Sequence, residues 1–325
     1  MMLLSIIVPV FNTDTHYLQC CISSVQRLLS IRNDVELIVC DDGSNTDTLL
    51  FLNELKNKYQ NFIILTDGVN RGQNSARNIG VKASSGKYIL FLDSDDYLNV
   101  NDLILCLNHI QDIDADIFAF NALFDDGTVI HPNIEIHEFG YVDNRKMIEG
   151  CRELWRYLFR KNLLIDYPLI EGIKIGEDVI SAILLLCNAN LIYSFDSMPY
   201  VYRKNNNSIM NTSNPYVICQ IVHGFDQLIH CLDKKLFRNY YCEIEWQAIK
   251  HIIVFESQQI LRCGVRYKSL VVNMRYWMNL IFPKWQSNFY LKLQKYGLRT
   301  KAVLSGHYFL FYYIDLLLRF FNDSK

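Results

Sequence analysis

Asp93-Ser94-Asp95-Asp96 gathers three carboxylates within four residues, directly after the apolar run Tyr88-Ile89-Leu90-Phe91-Leu92. A buried strand ending there aims those oxygens at a common point. Hard divalent cations such as Mg²⁺ and Mn²⁺ take oxygen ligands, and one or two carboxylates suffice when substrate phosphates complete the octahedron. The chemistry indicated is that of a diphosphate ester. Asp and Ser are also common turn formers, so this run taken alone leaves an ordinary turn open.

Two further polar clusters stand in the same relation to apolar runs. Phe11-Asn12-Thr13-Asp14 follows residues 3–8, and Asp41-Asp42-Gly43-Ser44 follows residues 35–40. These runs are short, continuous and rich in β-branched residues, as in strands buried on both faces, with weaker versions at 62–65 and 116–120. Helix-like stretches at 15–29, 46–59, 73–83 and 101–111 lie between them. The alternation predicts an α/β fold with a mostly parallel sheet flanked by helices. Connections in such sheets are right-handed and ligands sit beyond the carboxyl ends of the strands, so the three polar loops are expected on one edge.

From about residue 147 the alternation gives way to a mostly helical pattern, with a strand pair expected at 191–195 and 200–203. Residues from 215 onward read as helical. We therefore expect a catalytic domain over 1–214, with a donor half at 1–100 and an acceptor half at 101–214, and a helical C-terminal region at 215–325.

Other uses of strand-end aspartates fit less well. A phosphatase of the haloacid dehalogenase type needs Thr or Val two places after its Asp-x-Asp, where this chain has Tyr97, and needs the pair near the start of its domain. Neither Gly-x-Gly-x-x-Gly nor a P-loop occurs, which argues against a dinucleotide-dependent oxidoreductase or a P-loop enzyme. A nucleotidyltransferase with a related sheet would need a Gly-rich loop and a Lys near the first strand, and Val10-Phe11-Asn12 supplies neither.

Taken in order, Ser5-Ile6-Ile7-Val8-Pro9-Val10-Phe11-Asn12, Glu36-Leu37-Ile38-Val39-Cys40-Asp41-Asp42-Gly43-Ser44, Asn70-Arg71-Gly72-Gln73-Asn74-Ser75-Ala76-Arg77-Asn78-Ile79-Gly80 and the Asp93 cluster resemble the family 2 glycosyltransferases of the GT-A fold, over about the first 210 residues. The resemblance implies an inverting transferase, of hexosyl or N-acetylhexosaminyl type, that moves a sugar from a nucleotide diphosphate donor to an acceptor hydroxyl in polysaccharide or glycoconjugate assembly. It implies that Pro9, Phe11 and Asn12 shape the base pocket and that Asp41 accepts from a uracil-like imide, as in a UDP-sugar. Arg77 is then expected at the base or phosphates, Asp93 and Ser94 at the donor ribose, and Asp95 at the metal, Mn²⁺ or Mg²⁺. Gly176-Glu177-Asp178-Val179 resembles the motif that brings the catalytic base, Asp178, to the acceptor side with Glu177 beside it. Arg203 and Ser208, in a loop rich in Asn, are expected to close over the diphosphate. Without that context, Glu177 and Asp178 also suit a helix N-terminus through its dipole. A donor-binding, non-catalytic partner subunit is the alternative from another class, but it should have lost an acidic position, and Asp93, Asp95 and Asp178 are all in place.

Composition sets the remaining bounds. Half of the 325 residues are hydrophobic and a fifth charged, as in an ordered globular protein. Ten Cys occur without metal-binding spacing and read as reduced core thiols of a cytoplasmic protein. The apolar start lacks the basic flank and cleavage site of a signal peptide and is expected to stay as a buried strand. Net charge is only −2, but residues 257–314 hold nine Lys or Arg and no acid. Nucleic acid is not expected as a partner; a glycan or lipid-linked acceptor and peripheral contact of the C-terminal region with the inner face of the plasma membrane are. Residues 308–321 fall short of the roughly 20 apolar residues of a membrane span and suit an interfacial or packed helix.

Overall fold

The computed structural model describes residues 2–59, 62–130, 140–151, 153–204 and 214–322, without the side chains of 319–322. The chain divides into two compact units, residues 1–172 with 184–205, and residues 173–183 with 206–325.

The first unit is built on a mixed sheet of ten strands. These are β1 (Leu4–Val10), β2 (Val35–Asp41), β3 (Phe62–Thr66), β4 (Tyr88–Phe91), β5 (Tyr97–Leu98), β6 (Ile117–Phe124), β7 (Val129–Ile130), β8 (Gly140–Val142), β9 (Tyr157–Arg160) and β10 (Ile192–Tyr202). The principal order is β3-β2-β1-β4-β9-β6-β10-β5. Pairing is parallel from β3 through β4, as the alternation with α1 (Thr15–Leu29), α2 (Thr46–Lys58) and α3 (Gln73–Ala83) requires. Every residue of β1 and β2 is buried, which explains why they read as mostly apolar runs rather than alternating ones; the polar Ser5 and Glu36 meet each other, the Ser5 hydroxyl donating to Glu36 Oε1 at 2.5 Å. On α1 the buried residues Leu18, Cys21, Ile22, Val25 and Leu28 recur at helical spacing, and Asp14 caps the helix by accepting from the His16 N–H at 2.8 Å.

Two features depart from the sequence reading. β9 stands antiparallel between β4 and β6, so the sheet is mixed beyond β4. The expected pair at 191–195 and 200–203 is one strand, β10, parallel to β6 at both ends with a break in register between Phe195 and Tyr200. The intervening Asp196-Ser197-Met198-Pro199 holds turn-forming residues yet does not reverse the chain, and it is tied down where the Met198 N–H donates to the Asp102 Oδ2 at 2.8 Å. The second unit is helical throughout its described residues, with a π-helical stretch at Ile249–Glu256 and a core that includes Ile221, Phe225, Ile252, Met278, Trp285 and Phe311. All ten cysteines are free thiols.

Candidate functional site

The carboxyl ends of β1 and β2 are cross-braced by their own loops. Asn12 takes a left-handed backbone, φ 49°, and its Oδ1 accepts from the Asn45 N–H at 2.7 Å while its own N–H donates to Ser44 Oγ at 3.0 Å. Asn tolerates that conformation better than most residues, because its short side chain can hydrogen-bond locally. Asp41, the last residue of β2, accepts from the Ser44 N–H at 3.1 Å and from the Thr66 hydroxyl at 2.7 Å. Asp42 accepts from the N–H groups of Arg71 at 2.7 Å and Gly72 at 2.9 Å, and so anchors the start of α3. Directly after them Gly43 sits at φ 76°, where a Cβ would lie 2.7 Å from the Asn70 nitrogen, so both the backbone angle and the close approach demand glycine. A cleft of about 330 Å³ opens here, lined by Asp41, Asp42, Thr66, Asp67, Val69 and Arg71 among others.

The loop after β4 is held from several sides. Asp93 Oδ1 accepts from Arg77 Nη2 and from Gln73 Nε2, each at 2.8 Å, both on α3. The Asp93 N–H donates to the Tyr200 hydroxyl at 3.2 Å, and that hydroxyl in turn donates to Asp96 Oδ2 at 2.6 Å. The other Asp96 oxygen accepts from the Arg203 N–H at 2.7 Å. Ser94 Oγ shares a hydrogen bond with Thr13 Oγ1 at 2.6 Å, tying this loop to the one after β1. Burial, followed by the nearby charge of Asp93, raises the Asp96 carboxyl well above the usual carboxylate range. Asp95 makes no hydrogen bond or ion pair with any described residue.

That division of labour fits a divalent cation. Among the described residues no three His, Cys, Asp or Glu side chains form a cage. A cation completed by substrate phosphates needs no such cage, because one or two carboxylates suffice, and Asp95 has no hydrogen bond or ion pair among the described residues.

Residues 5–166 match the model of glycosyl transferase family 2. The chain carries a family 2 glycosyl transferase domain. It is 37% identical over 117 residues to poly(ribitol-phosphate) beta-glucosyltransferase of Bacillus spizizenii, covering 36% of this chain and 18% of that protein. It is 30% identical over 228 residues to the uncharacterized glycosyltransferase EpsJ of Bacillus subtilis, covering 66% of this chain and 64% of that one. The chain thus spans less than two thirds of either relative. Its fold is similar to that of Staphylococcus aureus TarS 1–349, solved in complex with UDP-GlcNAc, with a TM-score of 0.62 and 20% identity over 91% of this chain and 93% of that one.

Pro9, Phe11, Asn12, Asp41, Asp93, Ser94 and Asp95 lie within the matched residues, and the first unit holds them together with Arg203. Pro9 is buried in β1, whereas Phe11 is half exposed. Arg77, expected at the base or phosphates, has a wholly buried side chain that is paired with Asp93, hydrogen-bonded to Asn74 Oδ1 at 3.0 Å and stacked over Phe91. The neighbouring amides Asn74 and Asn78 donate to the carbonyls of Ile170 and Leu169, each at 2.9 Å. The Arg203 guanidinium lies over the rings of Tyr17 and Tyr97, at 4.5 and 5.3 Å. Ser208 lies outside the described residues.

Glu177 and Asp178 open the helix Glu177–Asn188, partly exposed, after Gly176 at φ 73°. Both belong to the second unit. Sequence reasoning missed Gln73, Tyr200, Tyr17, Tyr97 and Thr66. Gln73 and Thr66 lie beside recognised motifs and could have been suspected; nothing in the sequence couples Tyr200 to an aspartate 104 residues earlier.

Proposed function

We propose that this chain is an inverting glycosyltransferase that moves a sugar from a nucleoside diphosphate donor, a UDP-sugar, to a hydroxyl of a glycan or lipid-linked acceptor in surface polysaccharide or glycoconjugate assembly. The observation that carries the reading is the loop after β4, where Asp93 is clamped by Arg77 and Gln73 while Asp95 is left uncommitted. Such a site has one carboxylate rigid enough to orient a ribose and another free to meet a cation. The names of the relatives, among them a poly(ribitol-phosphate) beta-glucosyltransferase, agree with that chemistry. The chain's ten free thiols suit a reducing compartment, and the cytoplasm is where the enzyme is expected to work.

In this reading Asp41, at the end of β2, accepts a hydrogen bond from the base and Phe11 lies against it. Asp93 and Ser94 hold the ribose. Mn²⁺ or Mg²⁺ bound at Asp95 would neutralise the charge that develops on the departing diphosphate. Arg203, released from Tyr17 and Tyr97, brings its guanidinium to the same diphosphate; Ser208, expected beside it, lies outside the described residues. Asp178 takes the proton of the acceptor hydroxyl, with Glu177 beside it. The acceptor oxygen then bonds to the anomeric carbon from the face opposite the diphosphate as the carbon–oxygen bond to that group breaks, which inverts the configuration.

The test is transfer or donor hydrolysis by the full chain across a panel of nucleotide sugars, with Mn²⁺ and with chelator. Asp95→Ala is expected to remove transfer and cation dependence with an unchanged melting temperature. Near-normal turnover by that variant would refute the metal assignment, and donor binding without turnover by the parent would favour the non-catalytic subunit.

A further inference from the structure

The helix Tyr308–Asn322 turns only a narrow stripe inward, on which Tyr308, Phe311 and Asp315 are buried. Phe309, Leu310, Tyr313, Leu316 and Leu317 are each at least half exposed, and no charged side chain interrupts that outer face up to Leu318. A helix facing water normally carries charge there, and an apolar face of this extent marks an interaction surface. Fifteen residues make a helix of about 22 Å, short of the ~30 Å hydrocarbon core. Among the described residues no helix is long and apolar enough to cross a membrane.

Charge identifies the occupant. Asp315 is the only acid in residues 257–322, and it is turned inward against Arg299 at 2.9 Å and Arg262 at 3.5 Å. The elements packed on the helix are cationic. Lys268 holds its ammonium 4.6 Å from the Phe309 ring, Arg266 is exposed on the 3₁₀ turn Val265–Tyr267, and Lys301 is exposed on the helix Leu298–Leu304. A second copy of this chain seated on the face by two-fold symmetry would set that cationic rim near its own image, where like charges repel. An anionic bilayer meets both halves of the surface at once, because acyl chains receive the apolar face and headgroups neutralise the rim.

We propose that the helix Tyr308–Asn322 and its cationic rim are a docking surface for an anionic membrane, with the helix lying in the headgroup boundary. The proposal stands on these observations whether or not the chain transfers sugar. The experiment is flotation of the full chain with phosphatidylcholine vesicles, with and without phosphatidylglycerol. Affinity for the anionic vesicles is expected to be about tenfold or more higher and to fall steeply with salt. Leu316→Glu with Leu317→Glu, both at exposed positions, should abolish binding without shifting the melting temperature, and Lys268→Glu with Lys301→Glu should weaken binding to anionic vesicles alone. Equal binding to both vesicle types would overturn the role of the rim. Absence of binding by the folded full chain, or a dimer in light scattering that the Leu316 and Leu317 changes dissociate, would overturn the docking surface.

Discussion

Arg77→Met separates the two roles open to this residue. The guanidinium is fully buried, with Asp93, Asn74 and Phe91 around it, and methionine fills much of the same volume while removing the charge and its donors. Deleting one partner of a buried ion pair costs about 3–5 kcal/mol, because the remaining charge is left uncompensated. Asp93 keeps the hydrogen bond from Gln73 and its side chain is 21% exposed, so water can replace part of what is lost, which favours the lower end, about 3 kcal/mol. At about 2–4 °C per kcal/mol for a domain of this size, the melting temperature should fall by about 6–12 °C. The assay is thermal unfolding followed by circular dichroism, run beside a UDP titration by calorimetry. Arg77→Lys should recover part of the loss. A melting temperature within about 2 °C of the parent, together with a tenfold or greater loss of UDP affinity, would place the guanidinium on the donor and refute the burial argument.

Asp178→Asn should keep donor affinity while turnover falls by about 10²–10⁴, the usual contribution of a general base, and an equal loss of donor affinity in the same titration would make it a donor-site residue. Tyr200→Phe removes the hydroxyl between the Asp93 N–H and Asp96, leaving two groups short of a partner, and should cost about 1–3 kcal/mol in denaturant unfolding. Glu245, in the helical unit, has its pKa raised by burial although Asn288 donates to its Oε2 at 2.7 Å. A carboxyl raised in the folded state lends stability that is complete below its unfolded pKa, about 4.3, and is lost as pH rises through the higher folded value. Glu245→Gln should therefore flatten the decline in melting temperature above about pH 4.3, and a profile parallel to the parent's would contradict the assignment.

The sequence by itself determined the donor half of the sheet. β1, β2 and β4 are buried on both faces, and burial of that kind favours mostly apolar runs, so strands and the loops at their carboxyl ends were legible together. Asp41, Asp93 and Asp95 stand out in the sequence because each lies within a few residues of such a run. Glu177 and Asp178 were legible only as a helix start, which fixes their local setting and not what they face.

Tertiary structure decided the rest, because the decisive contacts join residues far apart in the chain. The four-residue β9 carries too little pattern to betray an antiparallel strand, and its place is set by β4 and β6 on either side. Arg77 occurs in a motif that suggests exposure to a ligand, and only the fold could show it buried against Phe91 and Asp93. Tyr200 lies 107 residues from Asp93 and 104 from Asp96, and its hydroxyl serves both only once β10 has been laid beside β6. On the helix Tyr308–Asn322 the sequence is apolar almost all round. Only packing could decide which stripe turned inward with Asp315 and which faced outward, since hydrophobicity drives burial without naming the surface that provides it.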